Sequence, residues 1–110
     1  MLFGRKKSDS DEEFKKAELQ DMQKQINNLK SNMENFRILV ISVNISDEQK
    51  QEAFKKLDEA EGYLKSAENN INQNNMAEAK KNFIKSLESI DQMLEGINYW
   101  LERWLERQQQ

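Results

Sequence analysis

Seven apolar side chains in the C-terminal third of the chain recur at alternating spacings of four and three residues. They are Phe83, Leu87, Ile90, Leu94, Ile97, Leu101 and Trp104. This unbroken heptad spacing predicts one continuous apolar face on a long α-helix. Such a face is stable in water only when other helices cover it, so the rest of the chain must supply those helices.

A second heptad stripe lies nearer the N-terminus. Its members are Leu19, Met22, Ile26, Leu29, Met33, Phe36 and Val40. Ser10 and Glu13 have the spacing of a capping box, which predicts that this helix begins at about residue 11 and ends at about residue 42. We interpret residues 1–9 as a flexible N-terminal tail.

Residues 38–45 allow two interpretations. They are apolar almost all round, as in a buried helix end. Their alternating, mostly β-branched members also fit a short extended segment, and these are Leu39, Ile41, Val43 and Ile45. We favour the helix, because a lone strand would have no partner in this chain.

A second capping box, formed by Ser46 and Gln49, predicts a helix over about residues 47–73. The apolar stripe of this helix is rich in alanine, and it consists of Ala53, Leu57, Ala60, Leu64, Ala67 and Ile71. Small side chains let neighbouring helices approach closely. We therefore expect this helix to pack tightly against at least one of the other two.

Asparagines cluster where the second helix should end. Asparagine tolerates the left-handed backbone conformation, so the cluster predicts a tight turn at residues 74–75. Asn75 with Glu78 three positions later can cap a third helix over about residues 76–107. Residues 108–110 should then fray.

These helices fit into one domain, since the chain has only 110 residues. It contains no proline, and 34% of its residues are charged, which suits long amphipathic helices. Short connections make consecutive helices antiparallel, and the 3.5-residue spacing favours shallow left-handed crossing. We therefore predict an all-α fold in which residues 10–107 form an elongated antiparallel three-helix bundle with coiled-coil-like packing.

The chain lacks the residues that most kinds of catalysis need. The chain has no histidine and no cysteine, which removes the commonest general base, the thiol nucleophile and the commonest ligands of transition metals. It has no glycine-rich phosphate-binding loop, and its carboxylates lie mostly off the apolar stripes. We predict that the protein is not an enzyme and holds neither a metal nor a cofactor.

The charge balance and hydropathy also limit the partners. The formal net charge is -3, so the chain has no overall attraction to nucleic acid, and we do not expect nucleic acid as a partner. We find no secretory signal and no apolar run near the roughly 20 residues that cross a bilayer. These features predict a cytoplasmic location.

An asymmetric distribution of large apolar residues gives the main functional hypothesis. Folding the three helices back on one another brings the end of the first helix to the C-terminal part of the third. The residues gathered there, which we name the apolar pole, are Phe36, Ile38, Leu39, Ile41, Val43, Ile45, Phe54, Tyr99, Trp100, Leu101, Trp104 and Leu105. The predicted partner-binding residues within it are Ile38, Ile41, Val43, Tyr99, Trp100, Trp104 and Leu105.

The two tryptophans allow two interpretations. They can plug the end of the core, or they can form an exposed surface for another protein or a second copy of the chain. Both hold if Trp104 lies in the core while Trp100 or Tyr99 lies on the surface. The sequence leaves this choice open.

An alternative hypothesis concerns the N-terminal tip. Leu2 and Phe3 could insert into a membrane surface while three nearby cations bind anionic lipids, and these cations are Arg5, Lys6 and Lys7. One such signal gives only weak and reversible binding. The acidic residues 9–13 that follow would weaken it further.

Overall fold

The computed structural model describes the backbone of residues 2–109 and the side chains of residues 12–109. It contains three α-helices: α1 (Leu2–Ser42), α2 (Asp47–Asn72) and α3 (Met76–Gln109). No strand occurs within that range. The predicted all-α three-helix bundle is confirmed.

The first helix is longer at its N-terminus than the sequence indicated. It begins at Leu2, nine residues before the predicted start, so Ser10 lies within the helix and not at its cap. Residues 2–10 contain one glycine and no proline, so they lack a strong signal to stop a helix that extends from residue 11. The flexibility of residues 1–9 stays a prediction. The third helix likewise runs two residues beyond its predicted end.

The capping box at the start of α2 is present. The Ser46 hydroxyl oxygen accepts the Gln49 backbone N–H at 3.2 Å, and Gln49 Oε1 accepts the Ser46 backbone N–H at 3.0 Å. Helix α1 ends at Ser42, so the favoured helical interpretation holds up to that residue. The last residues of the ambiguous segment form a short connection to α2.

The turn between α2 and α3 lies where the asparagines predicted it. Asn74 has φ 57°, in the left-handed region that asparagine tolerates better than most residues. The Asn75 Oδ1 atom accepts the Glu78 backbone N–H at 3.3 Å, which caps α3. Its own N–H donates to the Asn70 carbonyl oxygen at 2.7 Å and so closes the end of α2.

Helices α2 and α3 form the most intimate pair of the bundle. The alanines of α2 predicted to allow close approach, Ala53, Ala60 and Ala67, are all buried. At the middle of the pair, the fully buried Ser86 hydroxyl of α3 donates to the Ala60 carbonyl oxygen at 3.0 Å. Helix α1 packs mainly on α2 and has much less contact with α3.

This close pair changes which face of α3 is buried. Ser86, Ser89 and Met93 are buried, although they lie beside the predicted stripe. Two members of the stripe, Leu87 and Trp104, are exposed. Small side chains let α3 rest on α2 along the serine side of the stripe, so the opposite edge turns away from the core.

The molecule is elongated, as predicted, with extents of 78 × 23 × 18 Å. Its radius of gyration is 19.6 Å, against about 13 Å for a compact chain of this length. Helix α2 has 26 residues and α3 has 34, so α3 cannot be covered along its whole length by α2. The C-terminal turns of α3 therefore continue past the start of α2 and lie against the connection between α1 and α2.

We expect Gly62→Ala to stabilise the bundle by about 1 kcal/mol, because alanine is the better helix former by that amount. Gly62 lies inside α2, and a Cβ there would have no atom within 4 Å, so no clash opposes the gain. Urea denaturation followed by circular dichroism would measure the change. An unchanged or lower midpoint would contradict it.

Candidate protein-interaction surface

The connection between α1 and α2 lies against the C-terminal part of α3. Between them is a shallow notch lined by Asn44, Ile45, Ser46, Gln49, Trp100, Arg103, Trp104 and Arg107. The structure thus brings both tryptophans to the end of the bundle where the apolar pole was predicted. The capping box at Ser46 holds this connection in place.

The two tryptophans take different environments. Trp100 is half-buried against the core, and its ring folds back over Gly96, where a Cβ would lie 3.4 Å from the ring atom Cη2. Trp104 lies seven residues after the buried Ile97, on the same face of α3, yet 39% of it is exposed. At this level α3 has passed the start of α2, and Trp104 lies beside the connection between α1 and α2.

This arrangement reverses the assignment of the two tryptophans under which both interpretations would hold. Trp104 was considered for the core and Trp100 for the surface, whereas Trp100 packs against the core and Trp104 lies at its open end. Tyr99 is exposed, as that interpretation allowed. The plug and the exposed surface therefore coexist, with the roles of the tryptophans exchanged.

The other predicted partner-binding residues lie at the end of α1 and directly after it. Ile38 and Ile41 are exposed, while Val43 is half-buried against the core. Arg37 pairs with Asp58 and Glu61 of α2, so its side of α1 faces α2. Ile41 follows Arg37 by one turn on that side, away from α3. The predicted partner-binding residues of the apolar pole therefore do not form one continuous patch.

Charged groups hold α1 to α2 and border the pole. The carboxylates of Glu61 and Asp58 raise the pKa of Arg37 above its usual value by accepting its hydrogen bonds. Near the pole, Arg103 donates to the Tyr99 hydroxyl at 3.3 Å, with its guanidinium 5.8 Å from the ring centroid. Among side chains 12–109, Arg103 and Arg107 form no ion pair with a carboxylate.

One exposed apolar region was missed because its members were assigned to the core. Ile84 and Leu87 are exposed on α3, and Leu94 and Leu101 farther along are only half-buried. The seven-residue spacing of Leu87, Leu94 and Leu101 was the available signal, but it also belongs to the predicted core stripe. Which of these leucines are buried and which are exposed depends on how α3 is rotated relative to α2.

The described part of the chain offers no other candidate chemistry. Side chains 12–109 contain no cluster of three or more potential metal ligands. Within that range, none of the helices is both apolar enough and long enough to cross a bilayer. The membrane-docking residues Leu2, Phe3, Arg5, Lys6 and Lys7 lie outside the described side chains.

The fold and its surfaces place the protein among small all-α bundles with an exposed aromatic end. No protein-family model, curated protein or solved structure matches the chain.

Proposed function

We propose that this protein is a non-enzymatic helical-bundle module that associates with another protein, or with a second copy of itself, through the apolar pole. The observation that carries this proposal is the continuation of the core face of α3 past the start of α2. Trp104 lies on that face beside the connection between α1 and α2, which leaves 39% of it exposed. A partner helix or loop would complete the packing there.

The residues at the pole are of the kinds that contribute most to protein interfaces. Tryptophan, tyrosine and arginine are enriched among side chains whose truncation costs binding energy. Here Tyr99 is 57% exposed, Leu105 is 52% exposed, and Arg103 and Arg107 flank them. Their exposed apolar area favours association, and the arginines give the surface directional polar contacts.

The half-buried residues make this surface rigid before any partner binds. Trp100 is held over Gly96, and the connection beside it is held by the capping box at Ser46. A surface that is already ordered loses less conformational entropy on binding. We therefore assign Trp100 to the support of the surface and Trp104 to contact with the partner.

Photo-crosslinking from Leu105 tests the proposal. A photoreactive phenylalanine analogue at position 105, introduced into the full chain, should form a discrete adduct in extract from the native cell, seen as a mass above 13.1 kDa. Adding Trp104→Glu should remove most of the adduct by placing a charge in the apolar contact. The same analogue at Lys65, an exposed residue of α2 away from the pole, is the control. Equal labelling at both positions would refute the proposal.

A further inference from the structure

The elongated bundle, with extents of 78 × 23 × 18 Å, leaves a large solvent-exposed surface along its helices. A standard protein interface takes about 800 Å² of such surface from each partner.

Part of this surface is an apolar row on α3. We name it the open flank: Ile84, Leu87, Leu94, Leu101 and Leu105. Ile84 is 53% exposed, Leu87 is 43% exposed, and Leu105 is as open as Ile84. The row spans 21 residues, or about 32 Å at the helical rise. It joins the apolar pole at Leu105.

The open flank faces the side of the bundle where α1 and α3 barely meet. A salt bridge between Lys80 and Glu18 shows which sides of these helices face each other. On a helical repeat of 3.6 residues, Leu87 and Leu94 follow Lys80 on one side of α3. The corresponding side of α1 begins with Glu18 and Asp21, but between residues 25 and 39 it is uncharged and carries Gln25, Asn28, Asn32, Asn35 and Leu39.

Charge decides how a second copy could cover this face. The rim of the open flank carries three carboxylates, Glu88, Asp91 and Glu95. In an antiparallel two-fold pair, α3 of one copy lies on α3 of the other, so these acidic groups would face one another. In a parallel two-fold pair, α3 lies on the partner's α1, whose amides can donate hydrogen bonds to carboxylates.

The levels of the residues follow from contacts along the bundle. Arg37 pairs with Glu61, and the adjacent Ala60 accepts the Ser86 hydroxyl, so residues about 50 positions apart are level in the middle of the bundle. The salt bridge between Lys80 and Glu18 gives about 60 positions near the start of α3. Glu88 and Glu95 therefore lie level with the second half of α1, at about residues 28–45.

We propose that a second copy of this chain covers the open flank as a parallel two-fold dimer, with α3 of each protomer packed against α1 of its partner. This inference rests on the proposed association function and names its partner and its surface. Two helices side by side, each about 10 Å wide, cover roughly 640 Å² of projected area along a 32 Å row. The accessible area lost is larger than this projection, so it meets the requirement of a standard interface.

Light scattering behind a sizing column, across a concentration series, tests the dimer. We expect the full chain to have twice the 13.1 kDa mass and Leu87→Glu and Ile84→Glu each to give monomer. Both residues are exposed, and circular dichroism should confirm that the variants stay helical. Ser66→Glu is the matched control, because it adds the same negative charge at an exposed position of α2 outside the apolar pole and the open flank. It should leave the dimer intact.

Spin-label distances test the orientation. The chain has no cysteine, so Gln108→Cys gives a single labelling site on each protomer. The parallel dimer should give a separation comparable with the 23 Å width of the bundle. An antiparallel pair centred on Leu94 would separate the labels by about 42 Å along the axis.

Three other results would contradict the dimer, its interface or its orientation. A monomer at every concentration overturns the dimer, while crosslinking at Leu105 would still support a different partner at the pole. Loss of the dimer in Ser66→Glu, or its survival in both open-flank variants, overturns the assignment of the interface to the open flank. A label distance near 42 Å overturns the parallel arrangement.

Discussion

Leu57→Ala should lower the free energy of unfolding by about 2–5 kcal/mol, the usual cost of truncating a buried leucine. Leu57 is fully buried on α2, at the centre of the core between α1 and α3. The truncation loses apolar contact and leaves a cavity, which stiff helices refill only in part. Since domains of this size are stable by only about 5–15 kcal/mol, the loss is a large fraction of the total.

Urea denaturation followed by helical circular dichroism measures this loss. Lys65→Ala is the control, because it truncates a long side chain on an exposed residue of α2 outside the apolar pole and the open flank. We expect the control to change stability by at most about 0.5 kcal/mol. Equal effects of the two substitutions would mean that the core does not lie along α2.

Ala60→Leu should destabilise the bundle by about 1–3 kcal/mol or more, although leucine is a good helix former. Ala60 is fully buried where α2 crosses α3, and its carbonyl oxygen accepts the Ser86 hydroxyl at 3.0 Å. A larger side chain would force the helices apart. It would break that hydrogen bond and leave a buried hydroxyl without its acceptor.

The control for this substitution is Ala77→Leu, on an exposed position in the first turns of α3. It adds the same atoms without crowding a helix crossing, so its midpoint in urea should stay close to that of the unchanged protein. If Ala60→Leu proved neutral or stabilising, the close approach of α2 and α3 would be refuted.

The close packing of α2 and α3 links the fold to the proposed association. Because α3 rests on α2 through Ser86 and Met93, its leucine side turns outward and forms the open flank. Because α3 is also longer than α2, its core face reaches past the start of α2 at Trp104. The two exposed apolar surfaces thus have a common origin in the geometry of one helix pair.

Local signals in the sequence were sufficient for most of the fold. The capping box at Ser46 and the asparagine turn at Asn74 depend on hydrogen bonds between residues a few positions apart, so the chain encodes them locally. Heptad spacing identified three helices, since the periodicity of a helix is visible without knowing its neighbours. The start of α1 was placed too late, because Ser10 and Glu13 have capping-box spacing although the helix continues through them.

The sequence by itself determined that three amphipathic helices fold back on one another and bring large apolar residues to one end. Tertiary structure alone decided which residues of that set face solvent. Leu87 and Trp104 belong to the same heptad stripe as the buried Ile97. Leu87 is turned outward by the approach of α3 to α2, and Trp104 lies past the start of α2, beside the connection to α1. A spacing pattern records which residues share a helix face. The depth of burial depends on the size of the side chains opposite and on where the neighbouring helices end.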